Sequence, residues 1–443
     1  MQHWWLPHTG QGVRTRISDD RVWLVFATAS YINTSGDSGI LDEVISFIDG
    51  PELTGGQHDA YFQATISDKS ATLFEHCARA LEQTIALTGQ HGLPLMGTGD
   101  WNDGMNRVGE AGRGESVWLG WLLIRTITLF APLADKRMPE ADLQETRHVS
   151  GLETHLSAQQ RASAWRAHAQ MVKQAIEANA WDGKWYRRAS FDDGSWLGSV
   201  NNDECRIDAI AQSWAILSQQ GDIERGKIAM QSVEHWLIKP EQKLSLLFTP
   251  PFDHTSHNPG YIKGYPPGLR ENGGQYSHAA MWNILAYTQL GEGKKACDLF
   301  AMLNPINHSN SPSAAHTYKV EPYVLAADVY SVAPYVGRGG WTWYTGAASW
   351  MHRAAVEGIL GITREGDNLM IAPCIPAKWP GFEASIFVQN TAYKVTVEQH
   401  TTGKKNEICA ELDGVKLQCQ DHKVTVPLDG GRHQLQVSLK WAK

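Results

Sequence analysis

Residues 115–131 read ESVWLGWLLIRTITLFA. Apolar side chains recur there at spacings of three and four, which is the pattern of a helix with a broad buried face. The most apolar stretch, Val117 to Ala134, is interrupted by Arg125, Thr126 and Thr128, and Pro132 is expected to end the helix. It therefore falls short of the roughly 20 apolar residues that span a bilayer. This stretch predicts a buried helix in a mainly α-helical domain.

The same spacing recurs over about the first 360 residues, in segments separated by glycine-rich loops. The predicted helices cover Asp20–Asn33, Ile40–Ile48, Ala71–Gly89, Glu115–Ala131, Ser157–Ala178, Glu204–Gln219, Ile223–Leu237, Gln275–Leu290, Lys294–Met302, Tyr323–Val332 and Gly346–Gly358. The intervening loops carry Asp, Asn, Arg, His and Trp, which indicates a helical scaffold whose loops form the site. A helical region of this length fits a toroid of helix pairs better than a four-helix bundle.

The pattern changes after Thr363, where apolar and polar residues alternate between short turns. The predicted strands are Ala384–Gln389, Tyr393–Glu398, Glu407–Leu412, Lys423–Pro427 and His433–Leu439. The sequence therefore predicts a helical domain over residues 1–363 and a small all-β domain over residues 364–443.

The composition excludes several classes of protein. With 39 Lys and Arg against 47 Asp and Glu, the 443 residues carry a formal charge of −8, which argues against non-specific binding of nucleic acid or anionic membranes. The six cysteines are scattered without a CxxC pair or a zinc-like Cys/His cluster, so no metal site or disulfide framework is predicted. The N-terminus lacks the pattern of a signal peptide, and a cytoplasmic protein is expected. The 18 Trp are more numerous than Tyr or Phe, and their flat faces suit either a large core or sugar binding.

A first candidate site is GTGDWNDGMNR, residues 97–107. Asp100 and Asp103 flank Trp101, and in a tight turn the two carboxylates can take different pKa values, one ionised and hydrogen-bonded, the other a general acid. Trp101 offers a platform for a sugar ring. The structural alternative is a cluster of Asx turns and helix caps.

Two further segments combine charged groups with helix starts. Arg270, Glu271 and His278 lie in PPGLRENGGQYSH at the start of a predicted helix, where anions bind favourably, although a lone histidine is often a satisfied core residue. Glu321 precedes GRGGWTWYTG, in which Thr345 opens a helix-like run and could help to hold a phosphate or simply cap the helix.

Two further polar segments can be explained by local helix structure. Ser18 or Asp19 is sufficient as a cap for the first predicted helix. Glu204, Asp208 and Gln212 are spaced to share one face of a later helix, which borders either solvent or the cavity.

Taken together, these segments resemble family 94 of the glycoside hydrolases, the inverting β-glucoside phosphorylases. The resemblance rests on GTGDWNDGMNRVG, GRGESVWLGW, ECRIDAIAQSW, GYPPGLRENGGQYSHAA, YKVEPYV and GRGGWTWYTG, in the family's order. Within the family the motif sequences most resemble those of chitobiose phosphorylases and of the C-terminal region of cyclic β-1,2-glucan synthases. The resemblance implies an (α/α)6 toroid followed by a small C-terminal β-sandwich. It also implies an N-terminally truncated chain that begins inside the toroid. The partners expected from it are a missing N-terminal portion or a homodimer partner.

The resemblance implies inverting phosphorolysis of a β-glucosidic or β-N-acetylglucosaminidic bond, giving an α-sugar 1-phosphate. Asp103 matches the general acid, and a low-polarity surrounding that raises its pKa is expected. The matching phosphate-binding positions are His278, Thr345 and Gly346, and the matching sugar-binding positions are Trp101, Arg270, Glu271 and Glu321.

The expected ligands are a β-linked oligosaccharide and inorganic phosphate as co-substrate, without a metal or organic cofactor and without nucleic acid. Two alternatives stay open. One is an inverting hydrolase, with Glu321 or Glu271 as the base that activates water. The other is a non-catalytic β-glucan-binding remnant.

Overall fold

A computed structural model describes residues 1–137, 156–401, 407–419 and 422–441. Within them the chain divides into two units. The first unit comprises Met1–Ile32, Asp37–Tyr276 and Asp328–Gly340, and the second comprises Asn33–Gly36, Ser277–Ala327 and Trp341–Lys443. The boundary between residues 363 and 364 stays a prediction.

The longest elements of the first unit are α-helices. Its α-helices are α1 (Asp20–Ser35), α2 (Leu73–Ala86), α3 (Val117–Asp135), α4 (Ala158–Ala175), α5 (Ala209–Leu217) and α6 (Ile223–Trp236). Helices α2 to α6 each follow a capping residue whose side-chain oxygen accepts a hydrogen bond from a backbone N–H of the first turn. The capping residues are Thr72, Ser116, Ser157, Asp208 and Asp222. These caps explain why α2, α3, α4 and α6 start within two residues of the predicted positions.

Helix α3 is buried along most of its length, as its sequence predicts. A Cβ on Gly120 would lie 3.0 Å from Ile176 and 3.3 Å from Val172, so glycine lets α3 and α4 approach closely. The predicted end at Ala131 is wrong, because Pro132 lies in the last turn and removes only one backbone hydrogen bond there. By length and composition α3 could cross a membrane, but 78% of its apolar window is buried in the protein, as in a core helix.

The core of the first unit contains several of the tryptophans. Trp118 on α3 and Trp214 on α5 are buried, and their ring centroids are 6.2 Å apart in an edge-to-face arrangement. Trp23 on α1 lies 6.1 Å from Trp214. Such pairs add to the stabilisation that burial of the rings provides.

The strands of the first unit are between 2 and 8 residues long. They form the antiparallel sets Trp4–Trp5, Gln11–Thr15 and Asp59–Gln63; Val44–Asp49 and Thr65–Thr72; Glu115–Ser116, Ala189–Ser190 and Trp196–Leu197; Ile207–Asp208 and Phe248–Thr249; Ile238–Lys239 and Leu244–Ser245; and Gln275–Tyr276 and Asp328–Val329.

Three predicted helices need correction. Ile40–Ile48 is a 3₁₀ turn over Ser38–Asp42 followed by a strand, because its β-branched residues pair with Thr65–Thr72. Helix α5 starts at Ala209 rather than Glu204, since Ile207–Asp208 pairs with Phe248–Thr249. In place of the helix Tyr323–Val332, the strand Asp328–Val329 pairs with Gln275–Tyr276, and Asp328 also accepts the N–H of Gly340.

The second unit combines helices with the C-terminal strands. Its α-helices are α7 (Ser277–Gln289), α8 (Gly293–Leu303), α9 (Pro305–His308), α10 (Pro312–Tyr318) and α11 (Thr345–Arg353), and a π-helical segment, Ala354–Ile359, follows α11.

The predicted β character of the C-terminal region is confirmed. One sheet has the strand order Ile362–Glu365, Asn368–Ile371, Val424–Pro427, and the other has the order Gly381–Val388, Thr391–Thr401, Arg432–Trp441, Glu407–Leu412, Val415–Leu417. Thr391–Thr401 and Arg432–Trp441 run parallel, and the other neighbours are antiparallel.

Candidate active site

The loop 97–107 holds its two aspartates in different surroundings. Asp100 is buried, whereas the side chain of Asp103 is 49% exposed at the start of a 3₁₀ turn, Asp103–Met105. The loop approaches its neighbour so closely that a Cβ on Gly97, whose φ is +63°, would lie 2.2 Å from the carbonyl oxygen of Arg16. One carboxylate is thus hydrogen-bonded inside the protein, and the other is available to a ligand.

A buried ion cluster holds the loop in place. Arg188 donates from Nη2 and Nη1 to the two oxygens of Asp100 at 2.6 and 2.7 Å, and the Ser116 hydroxyl donates to Asp100 Oδ2 at 2.6 Å. Arg188 Nε lies 3.4 Å from Oδ2 of Asp208, the residue that caps α5. Burial raises the pKa of Asp208 to about 6 even though Arg188 opposes that shift. The sequence offers no local signal for Arg188, which lies 88 residues from Asp100.

Asp103 also faces a histidine from the N-terminal segment. His3 Nε2 lies 3.6 Å from Asp103 Oδ2, and His3 Nδ1 lies 2.9 and 3.1 Å from the two oxygens of Asp20 at the start of α1. The interaction with Asp103, followed by the hydrogen bond to Asp20, raises the pKa of His3 to about 10. Neighbouring Asp19 is buried, accepts a hydrogen bond from Trp23 Nε1 at 2.8 Å, and has a pKa raised by burial.

Three predicted sugar-binding residues, Trp101, Arg270 and Glu271, also lie in the first unit, and Glu271 interacts with Asp103. Burial raises the pKa of Glu271, and the charge of Asp103 acts in the same direction. Arg270 Nε lies 3.5 Å from Glu271 Oε2, and its guanidinium group lies 4.8 Å from the centre of the Tyr265 ring. Trp101 meets Tyr276 edge to face, with 5.3 Å between centroids. The structure thus places two carboxyl groups, a guanidinium group and several rings close together, of which the tyrosines were not predicted.

The second unit holds the remaining predicted residues. His278 stands in the first turn of α7, with its ring centroid 4.5 Å from Trp282 and 5.8 Å from Trp350, and burial lowers its pKa to about 4. Glu321 accepts a hydrogen bond from Trp343 Nε1 at 3.3 Å. The exposed rings of this unit include Tyr323, Trp341 and Trp343.

Thr345 and Gly346 form the first turn of α11, and a Cβ added to Gly346 would meet no atom of the described residues within 4 Å. The backbone N–H groups of a first turn are the donors that suit an anion. The predicted site residues therefore fall into two groups: Trp101, Asp103, Arg270 and Glu271 in the first unit, and His278, Glu321, Thr345 and Gly346 in the second.

A family model described as the glycosyl hydrolase 94 superfamily, catalytic domain, matches residues 5–361. The match covers most of the chain and every candidate residue in both groups. The chain belongs to the glycosyl hydrolase 94 superfamily. The resemblance recognised in the sequence motifs is thereby confirmed.

Curated relatives of this chain carry names of two kinds. The cyclic β-(1,2)-glucan synthase NdvB of Rhizobium meliloti (strain 1021) is 49% identical over 90% of this chain and 13% of NdvB. Solabiose phosphorylase of Paenibacillus borealis is 29% identical over 90% of this chain and 47% of that protein. N,N'-diacetylchitobiose phosphorylase of Vibrio furnissii is 28% identical over 87% of this chain and 43% of that protein. The chain thus spans less than half the length of each of these relatives.

Among solved structures, a sialidase matches with a TM-score of 0.52 at 12% identity, over 84% of this chain and 29% of that chain. This likeness concerns the fold alone.

Two sequence-based expectations about this family 94 site need correction. The low-polarity surrounding predicted for Asp103 is not formed within the first unit, because the side chain is half exposed and faces the charged His3. Glu204 does not share a helix face with Asp208 and Gln212. It lies before α5 and accepts the N–H groups of Asp253, His254 and Thr255 at 2.7 to 3.0 Å.

His278 makes the stability of this superfamily member depend on pH. Its pKa is about 4 when folded and 6.5 ordinarily, so between these values the unfolded chain binds a proton that the folded chain rejects. The contribution of His278 to stability is complete above pH 6.5 and is lost as pH falls toward 4. We expect the urea midpoint to fall between pH 7 and pH 4.5, and to fall less in His278→Asn. The control is His8→Asn at an exposed histidine, in which the urea midpoint should fall with pH as much as in the wild type. If the midpoint of His278→Asn also fell as much as that of the wild type, His278 would not be the source of the pH dependence.

Proposed function

We propose that this chain performs inverting phosphorolysis of a β-glucosidic or β-N-acetylglucosaminidic bond, with inorganic phosphate as co-substrate and no metal or organic cofactor. The observation that carries the proposal is the family match over residues 5–361, within which Asp103 presents a half-exposed carboxyl group on a rigidly held loop. A phosphorylase needs one such acid, since phosphate is itself an anionic nucleophile and no second carboxylate has to activate water.

In the proposed reaction, Asp103 donates a proton to the glycosidic oxygen while phosphate attacks the anomeric carbon from the opposite face. The carbon–oxygen bond to the leaving sugar breaks as the bond to phosphate forms, so the product is an α-sugar 1-phosphate. His278, Thr345 and Gly346 bind the phosphate. A neutral His278, which its lowered pKa supports, offers one N–H donor, and the first turn of α11 offers backbone donors.

The sugar is bound by Trp101, Arg270, Glu271 and Glu321. Trp101 supplies an apolar face for a ring, whereas Arg270 and the two carboxyl groups suit hydroxyl groups. The proposed substrate class is a β-1,2-linked gluco-oligosaccharide, with chitobiose as the second choice, because the names of NdvB and of the Vibrio enzyme point to these sugars.

The finer architecture belongs to the same proposal. We propose that the helical region is part of an (α/α)6 toroid and that the C-terminal sheets form a β-sandwich.

The test is to incubate the chain with β-1,2-gluco-oligosaccharides or chitobiose and phosphate, and to follow α-sugar 1-phosphate by ³¹P NMR. We expect the sugar phosphate to form with phosphate present and no sugar to be released without it. Release of free sugar in phosphate-free buffer would favour an inverting hydrolase with Glu271 or Glu321 as base. Binding by calorimetry without turnover would favour a β-glucan-binding protein.

A further inference from the structure

The Asp20, His3 and Asp103 side chains form a line that the proposed mechanism does not use. His3 occupies the centre, with Nδ1 on Asp20 at 2.9 Å and Nε2 toward Asp103 at 3.6 Å. The side chains of His3 and Asp20 are 23% and 19% exposed, against 49% for Asp103. An imidazole bound by a carboxylate at one nitrogen and directed at a reacting group with the other is suited to hold and pass a proton.

We propose that His3 is a positioning residue that returns a proton to Asp103 through Nε2, with Asp20 fixing the ring through Nδ1. This inference rests on the proposed function, since it supplies the acid that phosphorolysis consumes. The 3.6 Å separation is slightly longer than a hydrogen bond, and such contacts commonly shorten when a substrate is bound.

The location of Asp103 explains why a relay is needed. In the free chain the raised pKa of His3 keeps a proton on the imidazole ring. A sugar ring placed over Asp103 removes water from the carboxylate, and loss of water disfavours both charged forms. The proton then moves from Nε2 to Asp103, so that an ion pair becomes a neutral pair and the acid is formed only when substrate is present.

The proton balance closes over one cycle. Asp103 gives its proton to the leaving alcohol, and hydrogen phosphate loses one proton when its oxygen bonds to the anomeric carbon. That proton reaches His3 through solvent at its exposed edge, and His3 protonates Asp103 again. No proton is gained or lost overall, and no further reactant is required.

Other charged groups near His3, Asp20 and Asp103 also influence the pH dependence of the proposed proton transfer. Asp19 interacts with Asp20 and Asp103, and the Met1 amino group interacts with Asp20, Arg14 and Arg21. Asp100 interacts with Asp19, and Tyr261 with Asp103.

The decisive variant is His3→Gln, whose amide can still donate a hydrogen bond to Asp103 but cannot exchange a proton. Asp103 must then take its proton from water, which supplies protons more readily at acidic pH. We expect kcat for phosphorolysis to fall by about tenfold or more at pH 8 and by less than about threefold at pH 5, within the range of general acid catalysis. Asp20→Asn should show the same trend, and His8→Gln, at an exposed position, should match the wild type.

A His3→Gln enzyme with wild-type kcat at both pH values, or with an equal loss at both, would overturn the inference alone. A wild-type chain without turnover would overturn the proposed function, and the inference with it. A second measurement is independent of turnover: in ¹⁵N NMR titrations the His3 ring should lose its proton at lower pH in Asp103→Asn and in Asp20→Asn. An unchanged His3 titration in Asp103→Asn would also overturn the inference.

Discussion

Asp103→Asn is expected to reduce phosphorolysis of a β-linked oligosaccharide by about 10²–10⁴-fold, the usual contribution of a general acid. Asn cannot donate a proton to the glycosidic oxygen, so the sugar must leave as an alkoxide. The fold should be retained, because the side chain is half exposed and the loop is held by Asp100 and Arg188. The measurement is kcat/KM by the sugar phosphate assay, with circular dichroism to confirm folding.

The matched control is Asp68→Asn, which alters an exposed aspartate on the strand Thr65–Thr72 and should leave the rate unchanged. A second control varies the substrate. If the β-glycoside carries an acidic leaving group, that group departs as an anion without protonation. With such a substrate the Asp103→Asn variant should recover most of the wild-type rate. Near-normal turnover of the natural oligosaccharide by Asp103→Asn would contradict the assignment, because another group would then be the acid.

Arg188→Met is expected to lower the free energy of unfolding by about 3–5 kcal/mol. Removal of Arg188 leaves Asp100 and Asp208 as buried carboxylates without their cation. Methionine has a similar length but no charge, so Asp100 loses both bonds from Arg188 and Asp208 loses its nearby cation. All three side chains are buried, so water cannot replace the lost partner. The measurement is the urea unfolding curve at neutral pH.

The surface pair of Arg166 and Asp135 provides the control, because both side chains are more than 40% exposed. Arg166→Met should cost less than about 1 kcal/mol. Adding Asp100→Asn to Arg188→Met removes one of the two buried carboxylates that lack a cation, and should restore part of the lost free energy of unfolding. An Arg188→Met variant within about 1 kcal/mol of the wild type would show that the cluster does not hold the loop.

The helices could be predicted where the pattern and the cap lie in the same stretch of chain. For α2 to α4, an apolar spacing follows a Ser or Thr that accepts the first N–H groups, and the observed starts differ from the predicted ones by two residues or fewer. The prediction failed at Ile40–Ile48 and Tyr323–Val332, where the backbone bonds to strands distant in sequence instead of to its own next turn. For short apolar segments, such pairing overrides local preference.

The candidate site could be predicted only in part. The motif 97–107 identified Asp100 and Asp103 and the possibility that they differ, and the structure has one bound to Arg188 and the other half exposed. His3 was not selected, because nothing in residues 1–5 indicates that the chain returns to within 3.6 Å of Asp103.

The amino-acid sequence by itself determined helices such as α2 to α4, the β character of the C-terminal region, the loops that carry the chemistry and membership of family 94. These depend on local hydrogen bonding, on side-chain periodicity and on motifs that are continuous in the chain. Only the tertiary structure decided which charges meet: His3 and Asp20 near Asp103, and Arg188 between Asp100 and Asp208. The protonation state of an aspartate depends on the charges and the water within a few ångströms of it, and in this protein most of those neighbours come from distant parts of the chain.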